Sequence, residues 1–221
     1  MVIYMIYTSS YKDFNTDLFR GISISGDKGK KVNWNKYYYS KLAPKDSFWE
    51  IWHSNIDKID ELKNNKYYIQ EYYKKVLSNL DPETIYKELD NSFLLCYEKN
   101  DEFCHRHIVS AWLELFLDIE IKEVEVEGLY IGKKDKPVYI KKELESIIKE
   151  SINMKGFNSL RALYLFEQAN EYDDRAYILE IEQEKSYDYL RQIACNLRCE
   201  ADMAEDKYNE EQYKILRKTI D

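Results

Sequence analysis

A chain of 221 residues that is 44% hydrophobic and 33% charged, with only 6 Gly and 3 Pro, has a globular composition and enough length to bury its own core. This excludes collagen-like, linker-like and disordered classes. A formal charge of −8 argues against a general nucleic-acid coat, which needs a net basic surface. The abundance of Tyr, Lys and Asn suits AT-rich coding, as in a low-GC bacterium or its phage. The opening MVIYMIYTSSYKDF has a short apolar run and no basic leader. A membrane span needs roughly 20 apolar residues. The expectation is therefore a cytoplasmic protein with no membrane partner. Cys96, Cys104, Cys195 and Cys199 are few for this length. In a reducing compartment they read as thiols, metal ligands or core residues rather than as a disulfide framework.

In chain order, the β-branched and aromatic VIYMIYT (2–8) predicts a strand, and GISIS (21–25) a second. KYYIQEYYKKVLSNL (66–80) places Tyr68, Ile69, Tyr72, Tyr73, Val76 and Leu77 at helical spacing. DPETIYKELD (81–90) opens with Asp at an N-cap and Pro at the first helical position. SFLLCYE (92–98) is a continuous apolar run, the pattern of a strand buried on both faces. CHRHIVSAWLELFL (104–117) carries a helical apolar stripe, and IEIKEVEVEG (119–128) alternates as an edge or half-exposed strand does. Strand, loop, helix and strand in this order imply a Rossmann-like βαβ crossover and an α/β fold with a mainly parallel sheet. Residues 141–221 hold no Pro and one Gly, and they read as an α-helical C-terminal extension. The expected division is an α/β domain over 1–126 and a helical module over 127–221.

Ligands collect outside the carboxyl ends of parallel strands. Cys96 and Glu98 stand there at the end of the third strand, and two-residue spacing on a strand puts them on one face. Cys104, His105 and Arg106 then open a helix, whose first N–H groups are unpaired and whose dipole is positive at that end. A thiol in this setting is activated, and the same setting suits a phosphate or carboxylate. Cys104 is the candidate nucleophile or redox thiol. Glu98, His105 and Cys96 are its catalytic company, and Arg106 is the anion ligand, with Ser9 and Ser25 at the rim. A plainer reading makes Cys96 a core residue and pairs Arg106 with Glu98 or Asp101. A zinc reading recruits Cys96, Cys104, His105, His107, Cys195 and Cys199, but the Cys-x7-Cys spacing departs from short zinc knuckles. No metal or other cofactor is assigned on sequence grounds.

LLCYEKNDEFCHRHIVSAWL, with EIKEV following, resembles the signature of the domain of unknown function 488 family. IYTSSY near the start and YYYSKLAPK before the first long helix are also similar to a branch of it. The resemblance covers about residues 3–125 and rests mainly on Cys96, Glu98, Cys104, His105 and Arg106. It implies a compact α/β domain with a parallel sheet and marks the site without naming a reaction.

Between Asp27 and Asp46 runs a basic, aromatic loop, KGKKVNWNKYYYSKLAPK, which includes Tyr39, Lys41 and Lys45. Lysines interleaved with rings suit a nucleotide or single-stranded nucleic acid; the plainer reading is a solvated connection. WEIWHSN (49–55) adds Trp49, Trp52 and His53 as packing residues. No Gly-rich phosphate loop, His-Glu-x-x-His or Gly-x-Ser-x-Gly is present. The sequence thus points to a small anionic ligand, a nucleotide among the candidates, bound at the strand ends beside a thiol; nucleic acid is the lesser partner. The alternative is a non-catalytic binding or regulatory protein whose C-terminal helices engage a partner or self-associate as a homo-oligomer.

Overall fold

The computed structural model describes residues 5–183 and 186–220. The chain divides after Glu150 into two compact units. In the first unit the chain runs through β1 (Ile6–Ser10), β2 (Phe14–Asn15), β3 (Arg20–Ser23) and β4 (Tyr37–Tyr38). Then come α1 (Asp46–Ser54), α2 (Glu61–Lys75), α3 (Pro82–Glu88), β5 (Ser92–Cys96) and α4 (His105–Leu117). β6 (Lys122–Glu127), β7 (Tyr130–Lys134) and α5 (Tyr139–Ser151) complete it. The first residues of the strand expected over 2–8 lie outside the described residues.

The fold is α/β, as expected. β5 lies between β1 and β3, parallel to both, with Ser10 opposite Cys96 and Ser23 opposite Leu95. β3 also pairs parallel with β4. β1 pairs parallel with the start of β6, Tyr7 opposite Lys122, and β2 with its end, Phe14 opposite Val126. The exception to the parallel sense is β7, antiparallel to β6. The strand expected at an edge or half-exposed from its charge alternation has partners in β1, β2 and β7, with Lys122 and Glu127 exposed. Its buried Glu123 is accommodated by an ion pair described below. The β6–β7 hairpin also carries the first unit past residue 126, where the sequence suggested a boundary.

All five residues of β5 are buried, which is why its sequence shows no alternation. Phe93 and Leu95 pack on one face with Phe14, Val124 and Val126, and Tyr7, Tyr11, Phe19 and Trp34 close over them. Trp34 of the basic loop is thus a packing residue, its ring 6.2 Å from Phe14 and 5.7 Å from Tyr11. Successive strand residues alternate faces, so Leu94 and Cys96 point to the other side. Of the helices between β4 and β5, α2 and α3 begin at side-chain caps: Asp60 accepts from Lys63 N at 2.9 Å, and Asp81 from Thr84 N at 2.7 Å with Pro82 following.

The second unit consists mainly of α6 (Leu160–Gln183) and α7 (Asp188–Ile220), which pack against each other. Ala162, Ala169, Ala176, Ala194 and Ala201 are fully buried. Within each helix they recur at heptad spacing, so small side chains form the seam and let the two backbones approach closely. Arg198 to Asp173, at 2.5 Å, and Arg191 to Glu180, at 2.6 Å, tie the helices from outside. Among the described residues no helix is long and apolar enough to cross a membrane.

Candidate functional site

Because β1, β3 and β5 are parallel, their carboxyl ends share one end of the sheet. β5 stops at Cys96, and Glu98 follows on a bend rather than on the strand. The chain returns at Cys104, which is extended (φ −151°) and serves as the N-cap of α4 without a side-chain cap bond. The strand end and the helix start thus bring Cys96, Glu98, Cys104 and His105 together, their donor atoms all within 4.8 Å of one another. Cys104 Sγ lies 2.8 Å from Glu98 Oε2 and 3.8 Å from His105 Nδ1, and Cys96 Sγ lies 3.6 Å from the same nitrogen. His105 Nε2 donates to the carbonyl of Ile24 at 2.9 Å. A carbonyl only accepts, so Nε2 carries a proton, and in the neutral ring Nδ1 keeps its lone pair for the sulfurs.

Aromatic side chains roof this cluster. Phe103 packs between Trp52 and Tyr68, at 5.6 and 5.4 Å, and the Tyr72 ring stands 5.9 Å from His105. Tyr72 spends its hydroxyl on the Leu42 carbonyl at 2.5 Å and offers the cluster only its ring. Burial on this scale shifts each group in a different sense. Burial opposes ionisation of Cys104, but the Cys96 hydrogen bond and the charges of Arg106 and His105 outweigh it and hold this thiol well below its ordinary value. Cys96 moves the other way, pushed up by burial and by the charge on Cys104. Burial and the neighbouring Cys104 charge raise Glu98 to about 7. His105 is raised despite its burial, because the Cys104 charge and hydrogen bond favour the imidazolium. The cluster therefore pairs a thiol whose ionisation is favoured, Cys104, with one whose ionisation is opposed, Cys96, beside two groups able to carry protons, Glu98 and His105.

A cavity of about 270 Å³ opens beside it. Its walls include Cys96, Tyr97, Glu98 and His105 from the β5–α4 side and Ser25, Gly26, Asp27 and Lys31 from the segment after β3. Pro44, Asp46 and Trp49 at the start of α1 close it. Cys104 lines a smaller adjoining cleft that shares Trp49, Glu98 and His105 with the cavity. Asp27 anchors the wall: Tyr97 donates to both its oxygens at 2.8 Å, and Ser25 and the Gly29 N–H donate at 3.1 and 3.0 Å. Gly29 has φ +77°, and a Cβ there would stand 2.5 Å from Trp34, so the turn requires glycine.

The four expected catalytic residues, Cys96, Glu98, Cys104 and His105, are brought together. The expected ligand contacts fare differently. Ser25 lines the cavity. Ser9 is fully buried and donates to the Val124 carbonyl at 2.7 Å, holding β1 to β6 rather than lining a rim. Arg106 is fully buried and absent from the cavity wall. Its Nε and Nη2 bond Glu123 Oε1 at 3.1 and 2.9 Å, and Nη2 also bonds the Lys99 carbonyl at 2.9 Å. Neither Glu98 nor Asp101 is its partner; the buried carboxylate of β6 is. Lys41 and Tyr39 both bond Glu88 of α3, and neither they nor Lys45 line the cavity. The basic loop reaches it through Pro44 and Lys31, whose ammonium lies 5.6 Å from the Tyr97 ring centre. His107 stands 3.4 Å from Glu123 and is not among the four donors. Cys195 and Cys199 are exposed on α7 of the second unit. Asp27, Asp46, Trp49 and Tyr97 were missed, since isolated acids and rings carry no spacing signal. The lining holds three carboxylates and one lysine, the opposite balance from the anion pocket the sequence suggested.

The chain belongs to the DUF488 family. Residues 6–116 match the model DUF488-N3a, described as the active DUF488-N3 subclade. The match spans β1 through most of α4, so it takes in the whole four-residue cluster and its cavity. The chain matches no curated protein and no solved structure.

Proposed function

We propose that this DUF488 protein is an enzyme acting on a small molecule held in the cavity, with Cys104 as its thiolate nucleophile. The observation that carries this reading is the placement of Cys104 Sγ at the start of α4, 2.8 Å from Glu98 and 3.8 Å from His105. A positioned thiolate with an acid and an imidazole at hand is the arrangement of nucleophilic catalysis. Cys104 Sγ attacks an electrophilic carbon of the ligand, and the leaving group takes a proton from the His105 imidazolium. Water then cleaves the thio-adduct, giving its proton to the Glu98 carboxylate; the thiolate returns, and Glu98 passes that proton to His105, which restores both groups. The walls of Trp49, Tyr97, Lys31 and three carboxylates suit a polar ring compound, such as a nucleobase or nucleoside, more than a polyanion.

Alkylation of each cysteine across pH, mapped by peptide mass spectrometry on metal-free protein, tests the assignment. Cys104 should label with a midpoint well below the ordinary thiol value of about 8.5, and a cavity ligand should slow it. Labelling of Cys104 only on unfolding would remove it as the nucleophile. A second, non-catalytic reading rests on Tyr177, Ile178 and Ile181, which α6 leaves exposed and which fit self-association through the second unit. Sedimentation of Ile178→Glu against the parent chain reads that directly.

A further inference from the structure

We infer that Cys96, Glu98, Cys104 and His105 form a capture site for a thiophilic divalent cation, Zn²⁺ by its chemistry, and that metal on this site caps the Cys104 sulfur. The capping rests on the nucleophile assignment above; the metal site itself stands on geometry.

Zinc in proteins is held by four ligands in a tetrahedron, with Zn–S about 2.3 Å and Zn–N about 2.0–2.1 Å, which sets neighbouring S and N atoms about 3.5 Å apart. Cys96 Sγ and Cys104 Sγ lie 3.6 and 3.8 Å from His105 Nδ1, already at that spacing. Both sulfurs thus converge on one nitrogen from different elements, the end of β5 and the cap of α4. The fourth donor, Glu98, lies in the same group.

The His105 ring is oriented as a ligand requires. Its Nε2–H is fixed on the Ile24 carbonyl at 2.9 Å, which leaves Nδ1 to face the sulfurs. Metal-bound imidazoles characteristically anchor the other nitrogen in this way. The carbonyl belongs to the segment just after β3, so a third part of the sheet end sets the ring's direction.

Two thiolates, a carboxylate and a dication sum to one negative charge. Arg106, next in the chain to His105, is paired with Glu123, but its buried Nη1 has no hydrogen-bond partner among the described residues, so the ion pair leaves N–H capacity unspent. Two thiolates and an imidazole select zinc-like ions over magnesium or calcium, which favour all-oxygen sites. Glu98 and Cys96 also face the cavity, so a metal here remains in reach of small chelators and of cavity ligands.

Coordination uses the Cys104 lone pair that would otherwise attack a ligand, so occupancy silences the nucleophile and chelation restores it. Cys195 and Cys199, one helical turn apart on α7, are the competing explanation for any zinc the full chain binds. The Cys195→Ser/Cys199→Ser double variant of the full chain removes that ambiguity.

The test is titration of this reduced, chelator-treated variant with Co²⁺ and then Zn²⁺, read by absorption, with Cys104 alkylation followed in parallel. The expected result is one equivalent of Co²⁺ giving sulfur-to-cobalt charge transfer and intense tetrahedral visible bands, displaced by one equivalent of Zn²⁺. Zinc should slow Cys104 labelling by at least tenfold, with recovery on chelation. Cys96→Ser should lose the bands while its far-UV circular dichroism and urea midpoint stay close to those of the parent, which shows that the variant has kept its fold. Absence of the bands in the double variant overturns the metal site whatever Cys104 does. Bands without labelling of metal-free Cys104 leave the metal centre standing and remove the nucleophile instead.

Discussion

The two ends of α4 invite comparison, because each gathers titratable groups in a buried setting and they do opposite things with them. Near the C-terminal end, Glu114 is buried and saturated. Lys136 reaches it at 2.6 Å, Lys141 at 3.2 Å and the Ile121 N–H at 3.0 Å. Lys136 also donates to Ser110 Oγ at 2.5 Å and to the Ile121 carbonyl at 2.6 Å. A buried network satisfied in this way fixes the turn between α4 and β6 and leaves nothing for a ligand. At the N-terminal end, two sulfurs share one imidazole nitrogen, one of them, Cys104, also meets the Glu98 carboxylate, and Cys96, Glu98 and His105 border an open cavity. Burial alone does not distinguish a site from a strut; unspent donor capacity facing a cavity does.

Between the two ends sits Arg106 with Glu123, which looks like a ligand clamp in the sequence and is a strut in the structure. Breaking it is expected to have the largest effect on stability. Arg106→Met leaves Glu123 charged and buried, and loss of one partner of such a pair costs about 3–5 kcal/mol. Urea denaturation should show it, and Arg106→Met/Glu123→Leu should recover much of the loss. A double variant no more stable than the single one would contradict the ion-pair account.

Glu114→Gln is the next step down. It keeps the shape but leaves Lys136 and Lys141 poorly matched, for a cost of about 1–3 kcal/mol. The same residue gives the pH dependence. Burial opposes ionisation of Glu114, but the charge and hydrogen bond of Lys136, the Ile121 N–H and Lys141 outweigh it and hold its carboxyl below the usual range. A folded value below the unfolded one of about 4.3 means that its stabilisation is complete above that pH. It is lost as pH falls through the folded value. Glu123 follows the same sign: burial opposes ionisation, while His107 and Arg106 prevail. Stability measured by denaturant from pH 6 downward should therefore drop in acid, and Glu114→Gln should flatten that drop. An unchanged slope would sink the assignment.

Cys104→Ser should have the smallest effect on stability, within about 1 kcal/mol, because the swap is nearly isosteric and the hydroxyl keeps Glu98 as a partner. It should nonetheless abolish low-pH thiol labelling and any activity on a cavity ligand. A large loss of stability here would mark Cys104 as a strut like Glu114.

What the sequence determined by itself was local. Periodicity, caps and the apolar run of β5 gave α2, α3, α4, the helical C-terminal region and the central strand, but not α1. The Cys-x-Glu and Cys-His-Arg pairs flanking one short loop placed Cys96, Glu98, Cys104 and His105 together, because a strand end and the next helix start are neighbours whatever the rest of the chain does. The partners of Arg106 and Ser9 were not legible. Each bonds a residue of β6, far along the chain, and which strand lies beside β1 depends on pairing across the whole sheet. The same holds for Asp27, Lys31 and Tyr97, which meet only because β3 and β5 are adjacent and end together. Arg106 and Lys41, read as anion ligands, are held instead by Glu123 and Glu88: the sign of a charge is written in the sequence, but whether it is left over for a ligand is decided by the long-range partner that folding brings to it.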